Sequence, residues 1–272
     1  MSPHGKYTAV ILAASRRGKE DTVAKIQNLS HKCLVVIDEM VMLERVVREV
    51  VGAPEVDRVF VSIESTEILD SVPALKEMRE AGIIHYLPSE DNLYLSVTNA
   101  AKQIENPWPL IFTTGDNALH TSEMISHFCN EMEGKDLDAS AAMTPSAVIL
   151  EAYPNGKRAF HNLKNESWSS CNLYAVLTEK ALAAAKIFEG GGQFGKKPER
   201  LLKAFGLIFL ILYKFKLATI DGLAKRLSNR WKIAVEIIKM PYADAPIDVD
   251  NPGDFERTER ILKARRGIGE AY

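Results

Sequence analysis

The sequence predicts an α/β fold with a Rossmann-like, three-layer α/β/α arrangement, in which helices cover both faces of a mainly parallel mixed sheet. Short apolar runs that are typical of buried strands alternate with helical patterns from the start of the chain. This alternation indicates βαβ units, whose crossover helices pack on the sheet. The length of 272 residues suits one large α/β domain, and the chain contains no internal repeat.

Each predicted element follows from its local pattern. The strands are apolar runs bounded by polar or turn-forming residues, and they cover residues 8–13, 58–63, 83–86, 109–113, 139–144, 171–176 and 234–239. The helices have apolar residues at helical spacing, and they cover residues 42–51, 96–104, 122–133, 179–189 and 252–265. The last helix follows the turn Asn251-Pro252-Gly253, which is typical of a helix start.

We expect a single domain over residues 1–272. The chain is richest in glycine at Gly190-Gly191-Gly192 and Gly195, and the sequence after them differs in character from the rest. Glycine-rich stretches of this kind give the backbone conformational freedom. We therefore expect residues 190–230 to form a helical embellishment or a lid.

Composition excludes several classes of function. With 34 Lys and Arg against 36 Asp and Glu, the chain has no global positive charge that would favour nucleic acid as a partner. The three cysteines, Cys33, Cys129 and Cys171, are far apart and lack the spacing of a disulfide framework or a zinc site. The amino terminus lacks the long apolar segment of a signal peptide. We expect a cytoplasmic protein.

Two groups of acidic residues, Asp116 and the pair Asp248 and Asp250, are the most informative features of the sequence, and we call them the first and second acidic stations. Asp116, in Thr114-Gly115-Asp116-Asn117, directly follows a predicted strand, and the carboxyl end of such a strand faces the ligand crevice of an open α/β sheet. Asp248 and Asp250 lie far downstream. Because Mg²⁺ binds carboxylate oxygens together with substrate phosphates, these residues predict a Mg²⁺ site. The alternative is that they only cap turns and helices.

A cationic loop follows the first predicted strand. It contains Arg16, Arg17 and Lys19, and a first βα loop is where mononucleotide folds bind phosphates. Its cations, with the backbone amides near Ser15, would suit a triphosphate. Lys32 precedes another apolar run, which we interpret as a strand, and it would neutralise charge on the α-phosphate. The alternative is a solvated loop and a surface lysine.

Four ordered motifs carry a family resemblance. They are Leu12-Ala13-Ala14-Ser15 with His31-Lys32-Cys33-Leu34, Met42-Leu43-Glu44-Arg45, Thr114-Gly115-Asp116-Asn117-Ala118-Leu119, and Asp248-Val249-Asp250-Asn251-Pro252-Gly253-Asp254. In order and spacing, along nearly the whole chain, they resemble the MobA-like nucleotidyltransferases. Those enzymes share a glycosyltransferase-A type fold with the nucleotide-diphospho-sugar transferases. The sequence departs from the family pattern at Ser15 and Arg17, where glycines are expected, at His31 in place of proline, and at Asn117-Ala118.

The resemblance implies an activity and a site. The activity is Mg²⁺-dependent attack by a phosphate monoester on the α-phosphorus of an NTP, with release of pyrophosphate. The implied catalytic residues are Lys32, Arg16 and Asp116, and the implied metal ligands are Asp116 and Asp248 or Asp250. The implied nucleotide-binding residues are Leu12, Ala13, Ala14, Ser15, Arg17, Lys19 and Gly115.

Acceptor-site residues are predicted further along the chain. Asn172 occupies the place where related enzymes have an asparagine near the acceptor, although an edge-strand asparagine is the alternative. Lys196 and Lys197 would meet an acceptor phosphate, or would simply begin a basic surface helix. The acceptor is expected to be a sugar, polyol or small-acid phosphate, or a molybdopterin-like cofactor. The sequence does not select the NTP.

The run of residues 206–213 is the most apolar of the chain and has basic residues on both sides. It is too short to span a bilayer, which needs about 20 apolar residues. We interpret it either as a buried helix or as a membrane or lipid contact through residues 200–216.

Two other functions remain open at this point. A glycosyltransferase of the same fold would bind a nucleotide sugar through an Asp-x-Asp and a metal, but the cationic loop and Lys32 suit a triphosphate better. A non-catalytic nucleotide-binding homologue would explain the altered glycine positions in the first loop.

Overall fold

The computed structural model describes residues 6–15, 18–90, 92–154, 160–182, 202 and 206–268. The strands of these residues are β1 (Tyr7–Leu12), β2 (Val36–Ile37), β3 (Met40–Val41), β4 (Val56–Ile63), β5 (Ile84–Pro88), β6 (Leu110–Thr114), β7 (Ala139–Pro145), β8 (His161–Asn162), β9 (Ser167–Val176) and β10 (Val235–Lys239). The α-helices are α1 (Met42–Gly52), α2 (Thr66–Asp70), α3 (Pro73–Glu80), α4 (Leu93–Gln103), α5 (Ser122–Glu131), α6 (Ser146–Ala152), α7 (Leu207–Lys214), α8 (Ile220–Trp231) and α9 (Pro252–Arg265).

The predicted fold class is confirmed. The main sheet has the strand order β10-β7-β9-β6-β1-β4-β5, and β8 pairs with β9. Strands β1, β4, β5 and β6 pair in parallel, as do β7 and β10. Strand β9 runs antiparallel to β6 and β7, so the sheet is mixed.

Helices cover both faces of this sheet. On β1, Ala9 and Ile11 point into a core that α1, α2, α3 and α5 complete. Val10 and Leu12 point to the opposite face, where α4 packs. Alternate residues of one strand therefore enter two different cores, which explains why β1 is an unbroken apolar run.

The structure also corrects several predicted elements. Helices α2, α3 and α6 were not predicted, because each contributes only one buried residue, respectively Leu69, Leu75 and Ile149. Strand β9 begins at Ser167, before its predicted start, because Ser169 pairs with Thr144 of β7. The apolar run after Lys32 is not a strand of the main sheet; it forms a 3₁₀ turn, Lys32–Leu34, and a two-stranded β2–β3 ribbon.

The segment predicted as an embellishment lies partly outside the described residues. Its described part contains α7 and most of α8, which pack on Met143, Leu163 and Trp168. Of the predicted helix 179–189, the described part begins as the 3₁₀ turn Glu179–Ala181. The division into a single domain and the role of residues 190–230 as a lid remain predictions. Among the described helices, none is long and apolar enough to cross a membrane.

Candidate active site

The carboxyl ends of β1 and β6 meet closely at Gly115. Its amide donates to the carbonyl oxygen of Leu12 at 2.9 Å. A Cβ atom at position 115 would lie 3.2 Å from the Cβ of Ala13 and 3.3 Å from Cδ1 of Leu43. A side chain would therefore push the loop away from β1, and glycine lets Asp116 lie over the end of that strand.

Lys32 lies between the two acidic stations. Its Nζ atom donates to Oδ2 of Asp116 at 2.6 Å and to Oδ1 of Asp250 at 2.8 Å. The Lys32 and Asp116 side chains are 19% and 18% exposed, whereas Asp250 is 58% exposed. Burial opposes the charged form of Lys32, but the two carboxylates outweigh it and raise the pKa of the ammonium. A fixed positive charge thus lies at this edge of the sheet.

Lys32 is held in place by its neighbours in the chain. The thiol of Cys33 is buried and donates to the carbonyl oxygen of Ala13 at 3.4 Å, which fixes the 3₁₀ turn beside β1. Burial raises the pKa of the Cys33 thiol to about 12, so it is neutral at physiological pH. Cys33 is therefore a packing residue. Cys129 and Cys171 are likewise buried.

The second acidic station is anchored to the first through the backbone. The amide of Val249 donates to the carbonyl oxygen of Asp116 at 3.1 Å. Ile247 and Val249 are buried in a core with Ala118, so the alternating residues Asp248 and Asp250 point away from that core. The chain then enters α9, where the Asn251 side chain caps the first turn.

Asn172, predicted as an acceptor-site residue, contacts the second acidic station. Its Nδ2 atom donates to Oδ2 of Asp248 at 3.2 Å. Strand β9 lies between β6 and β7, so the alternative of an edge-strand asparagine is wrong. Asn172 has a φ of 50°, in the left-handed region, where the β7–β9 register also shifts. This irregularity of the strand accompanies the contact with Asp248.

Two residues beside Asp116 complete its surroundings. The hydroxyl of Thr114 donates to Oδ1 of Asp116 at 2.5 Å and contacts Oδ1 of Asn117. Asn117 is fully buried, and its Nδ2 atom has no hydrogen-bond partner among the residues that the structure describes. Thr114 thus orients one oxygen of Asp116 while Lys32 binds the other.

Glu64 is a site residue that sequence reasoning missed. Its Oε1 atom accepts from the amide of Ser15 at 2.7 Å, and its Oε2 atom lies 3.3 Å from Nε2 of His31. Glu64 directly follows β4, and the pairing of β4 with β1 brings it to the same edge of the sheet. Because the Ser15 amide donates to a carboxylate, it can donate to an anion at this position.

The other predicted residues fall into two groups. Leu12, Ala13 and Ala14 end β1 at this edge, and the hydroxyl of Ser15 accepts from the amide of Gly18 at 3.1 Å. Lys19 is exposed in the 3₁₀ turn Gly18–Glu20. Arg16, Arg17, Lys196 and Lys197 lie outside the described residues. The described part of the site therefore joins Ser15, Lys32, Gly115, Asp116, Asn172, Asp248 and Asp250.

The donor set suits a hard cation. Asp116, Asp248 and Asp250 supply only carboxylate oxygens, the ligands that Mg²⁺ prefers. Among the described residues, no three acidic, histidine or cysteine side chains are gathered as a complete metal cluster. A site that binds Mg²⁺ with one or two carboxylates needs further oxygens from water and from substrate phosphates.

Three solved structures have a fold similar to that of this chain. A hypothetical transferase from Thermus thermophilus has a TM-score of 0.72 and 19% identity, over 92% of this chain and 99% of that one. CMP:2-keto-3-deoxy-manno-octonic acid synthetase complexed with CTP has a TM-score of 0.60 and 13% identity, over 96% of this chain and 100% of that one. The chain shares the fold of these two proteins.

A third structure of this fold is 4-diphosphocytidyl-2C-methyl-D-erythritol synthase from Anaerococcus prevotii. It has a TM-score of 0.55 and 12% identity, over 95% of this chain and 99% of that one. The chain matches no protein-family profile and no curated protein sequence. At these identities, what the chain shares with the nucleotidyltransferases is their fold.

Proposed function

We propose that the chain is a Mg²⁺-dependent nucleotidyltransferase of the MobA-like type. It transfers an NMP from an NTP to a phosphorylated small molecule, such as a sugar, polyol or small-acid phosphate, and releases pyrophosphate. The observation that carries this proposal is the position of the Lys32 ammonium, 2.6 Å from Asp116 and 2.8 Å from Asp250. A cation and metal-ligating carboxylates at the end of β1 are what attack at an α-phosphorus requires.

The residues divide the task between them. The amides of the first loop bind the triphosphate. In the complex, a phosphate oxygen replaces the Glu64 carboxylate as the acceptor of the Ser15 amide. Lys32 moves from the carboxylates onto the α-phosphate as negative charge develops there. Asp116, with Asp248 or Asp250, is the ligand set for Mg²⁺, which when bound neutralises phosphate charge and orients the triphosphate.

The acceptor side is formed by Asn172. Its amide lies against Asp248, beside the metal ligands, where it positions the incoming phosphate monoester. An oxygen of that phosphate forms the new bond to the α-phosphorus, and the bond from the α-phosphorus to the bridging oxygen breaks. The electron pair leaves with pyrophosphate. This chemistry depends on positioning and charge neutralisation more than on a strong base.

The position of Lys32 favours this function over the glycosyltransferase alternative. A nucleotide sugar needs the metal and the acidic residues but makes no use of a lysine held at the position of the reacting phosphate. In the structure, two carboxylates bind the Lys32 ammonium, and the contact of Cys33 with Ala13 fixes the turn that carries it.

The test is pyrophosphate release with each of the four NTPs and Mg²⁺, against a panel of sugar, polyol and small-acid phosphates. Asp116→Asn is the site variant, and Asp57→Asn, at an exposed position on β4, is the matched control. The proposal predicts release that needs one NTP, one acceptor class and an intact Asp116. Tight NTP binding without pyrophosphate under any acceptor would instead favour a non-catalytic nucleotide-binding protein.

A further inference from the structure

Helix α7 has two apolar faces, and only one of them packs on other described residues. On the inner face, Phe209 is buried against a cluster that includes Trp168 and Leu223. The hydroxyl of Tyr213, on the same face, lies 2.8 Å from Nδ1 of His161. These contacts fix the rotation of the helix about its axis, so its other side is turned outward.

The outward side and the turn after it are also apolar. Leu207, Ile208, Phe215 and Leu217 are each more than half exposed, and Ile211 is 42% exposed. We call these five residues the outer face of α7. Residues 207, 208 and 211 fall on one side of a helix by the 3.6-residue repeat. A cluster of five large exposed apolar side chains is unusual on a monomer and marks an interaction surface.

The segment that carries the outer face is rich in positive charge. Residues 206–232 contain six Lys and Arg and one acidic residue, whereas the whole chain has a net charge of −2. Lys214 projects from the same side of the helix, with its Nζ atom 5.9 Å from the centre of the Phe215 ring. The exposed Lys216 follows directly. Apolar side chains among cations complement a surface that is apolar inside and anionic outside.

The cluster under α7 and the candidate active site share strand β9. Strand β9 contributes Trp168 to the cluster under α7 and Asn172 to the contact with Asp248. Four residues of strand span about 13 Å. Because β9 runs antiparallel to β6, its first residues extend beyond the strand end that carries Asp116.

We propose that α7 docks the protein onto the surface of an anionic lipid bilayer. The outer face enters the boundary between headgroups and acyl chains, and Lys214 and Lys216 contact the anionic headgroups. A helix of eight residues, Leu207–Lys214, is far shorter than a bilayer is thick, so it lies along the surface. This docking does not depend on the proposed activity.

Vesicle sedimentation of the full chain tests the proposal. Vesicles of pure phosphatidylcholine are compared with vesicles of phosphatidylcholine and phosphatidylglycerol. The protein is expected to bind the anionic vesicles and to be released by salt, because screening weakens the lysine contacts. Binding to the pure phosphatidylcholine vesicles is expected to be at least about tenfold weaker.

Three variants separate the apolar and charged contributions. Ile208→Glu/Ile211→Glu is expected to abolish sedimentation, and Lys214→Glu/Lys216→Glu to weaken it at least about tenfold. Ile83→Glu is the control, because Ile83 is also exposed but precedes β5 at the opposite end of the sheet. It should bind vesicles as the unmodified chain does. Circular dichroism checks that each variant folds.

Apart from the Ile83→Glu control, two results would overturn the proposal. One is a folded, monomeric protein that does not sediment with anionic vesicles. The other is a dimer in analytical ultracentrifugation that Ile208→Glu/Ile211→Glu dissociates, with no vesicle binding, since the outer face would then pair with a second copy of the chain. Equal loss of vesicle binding in the Ile83→Glu control would also reject α7 as the docking surface.

Discussion

The ammonium of Lys32 lies 2.6 Å from Oδ2 of Asp116, although the two residues are 84 positions apart in the chain. The contact joins the turn beside β1 to the loop after β6, and a second contact adds the Asp250 station. The three charged groups form one network, so a change in any of them alters the position of the others.

Replacement of Lys32 should remove turnover but spare nucleotide binding. We expect Lys32→Gln to lower kcat/KM for pyrophosphate release by about 10²- to 10³-fold, because the developing charge loses its neutralising cation. Lys32→Arg keeps the charge and should retain more activity. Lys25→Gln is the matched control, since Lys25 pairs only with the exposed Glu20. Full activity in Lys32→Gln would exclude a catalytic role.

Glu64 should act as an internal competitor for the phosphate position. Because its carboxylate accepts the Ser15 amide, we expect Glu64→Gln to tighten NTP binding several-fold, measured by titration calorimetry. The neutral amide repels phosphate less and still accepts from Ser15. Glu77→Gln on the exposed surface of α3 serves as the control. Weaker NTP binding in Glu64→Gln would mean that Glu64 contacts the nucleotide directly.

Substitutions of Asn172 should separate backbone strain from the side-chain contact. Because φ is 50° at this residue, Asn172→Ala should be less stable than Asn172→Gly by about 1 to 2 kcal/mol. Both lose the hydrogen bond to Asp248, so both should raise KM for the acceptor more than KM for the NTP. Urea unfolding and steady-state kinetics measure the two effects. Equal stability of the Ala and Gly variants would contradict the strain.

His120 should make the fold sensitive to acid. Burial lowers the pKa of His120 from its ordinary value of 6.5, and its Nε2 atom donates to the carbonyl oxygen of Ala245 at 2.9 Å. Below about pH 6.5 the unfolded chain binds a proton that the folded protein excludes, so the free energy of unfolding falls as the pH falls. Above that pH the contribution of this group is constant.

The variant His120→Gln isolates this group, because glutamine can still donate to Ala245 but does not titrate. Urea unfolding at about pH 8 and about pH 5 should show a smaller loss of stability in the variant than in the unmodified chain. Burial also lowers the pKa of His161, so some pH dependence should remain. The same loss in both proteins would assign the acid sensitivity elsewhere.

The sequence predicts those residues of the candidate site that a local pattern marks. Asp116 was identified because β6 is an apolar run that ends in Gly-Asp, and Asp248 and Asp250 because a capping turn follows them. Glu64 was missed because its role depends on β4 lying next to β1, a pairing that no local pattern encodes. The backbone of Asn172 was also unpredictable, since its left-handed conformation depends on the β7–β9 register.

The same contrast holds for the fold. Helix α9 was predicted with its observed bounds, because Asn251 and Pro252 mark its start. Helices α2 and α3 each bury one residue, Leu69 and Leu75 respectively. A sequence pattern with one buried residue is difficult to distinguish from that of a polar loop. The short ribbon after Lys32 resembled a core strand because Val35 and Ile37 are fully buried.

The contact between Lys32 and Asp250 joins residues 218 positions apart. During synthesis, the first loop and Lys32 leave the ribosome long before Asp248 and Asp250 do. Contacts of such large sequence separation also form late in folding, because the chain must first order the segments between them. Lys32 therefore lacks Asp250, one of its two counter-charges, until the segment before the last helix is in place, and the network of three charges is completed late in folding.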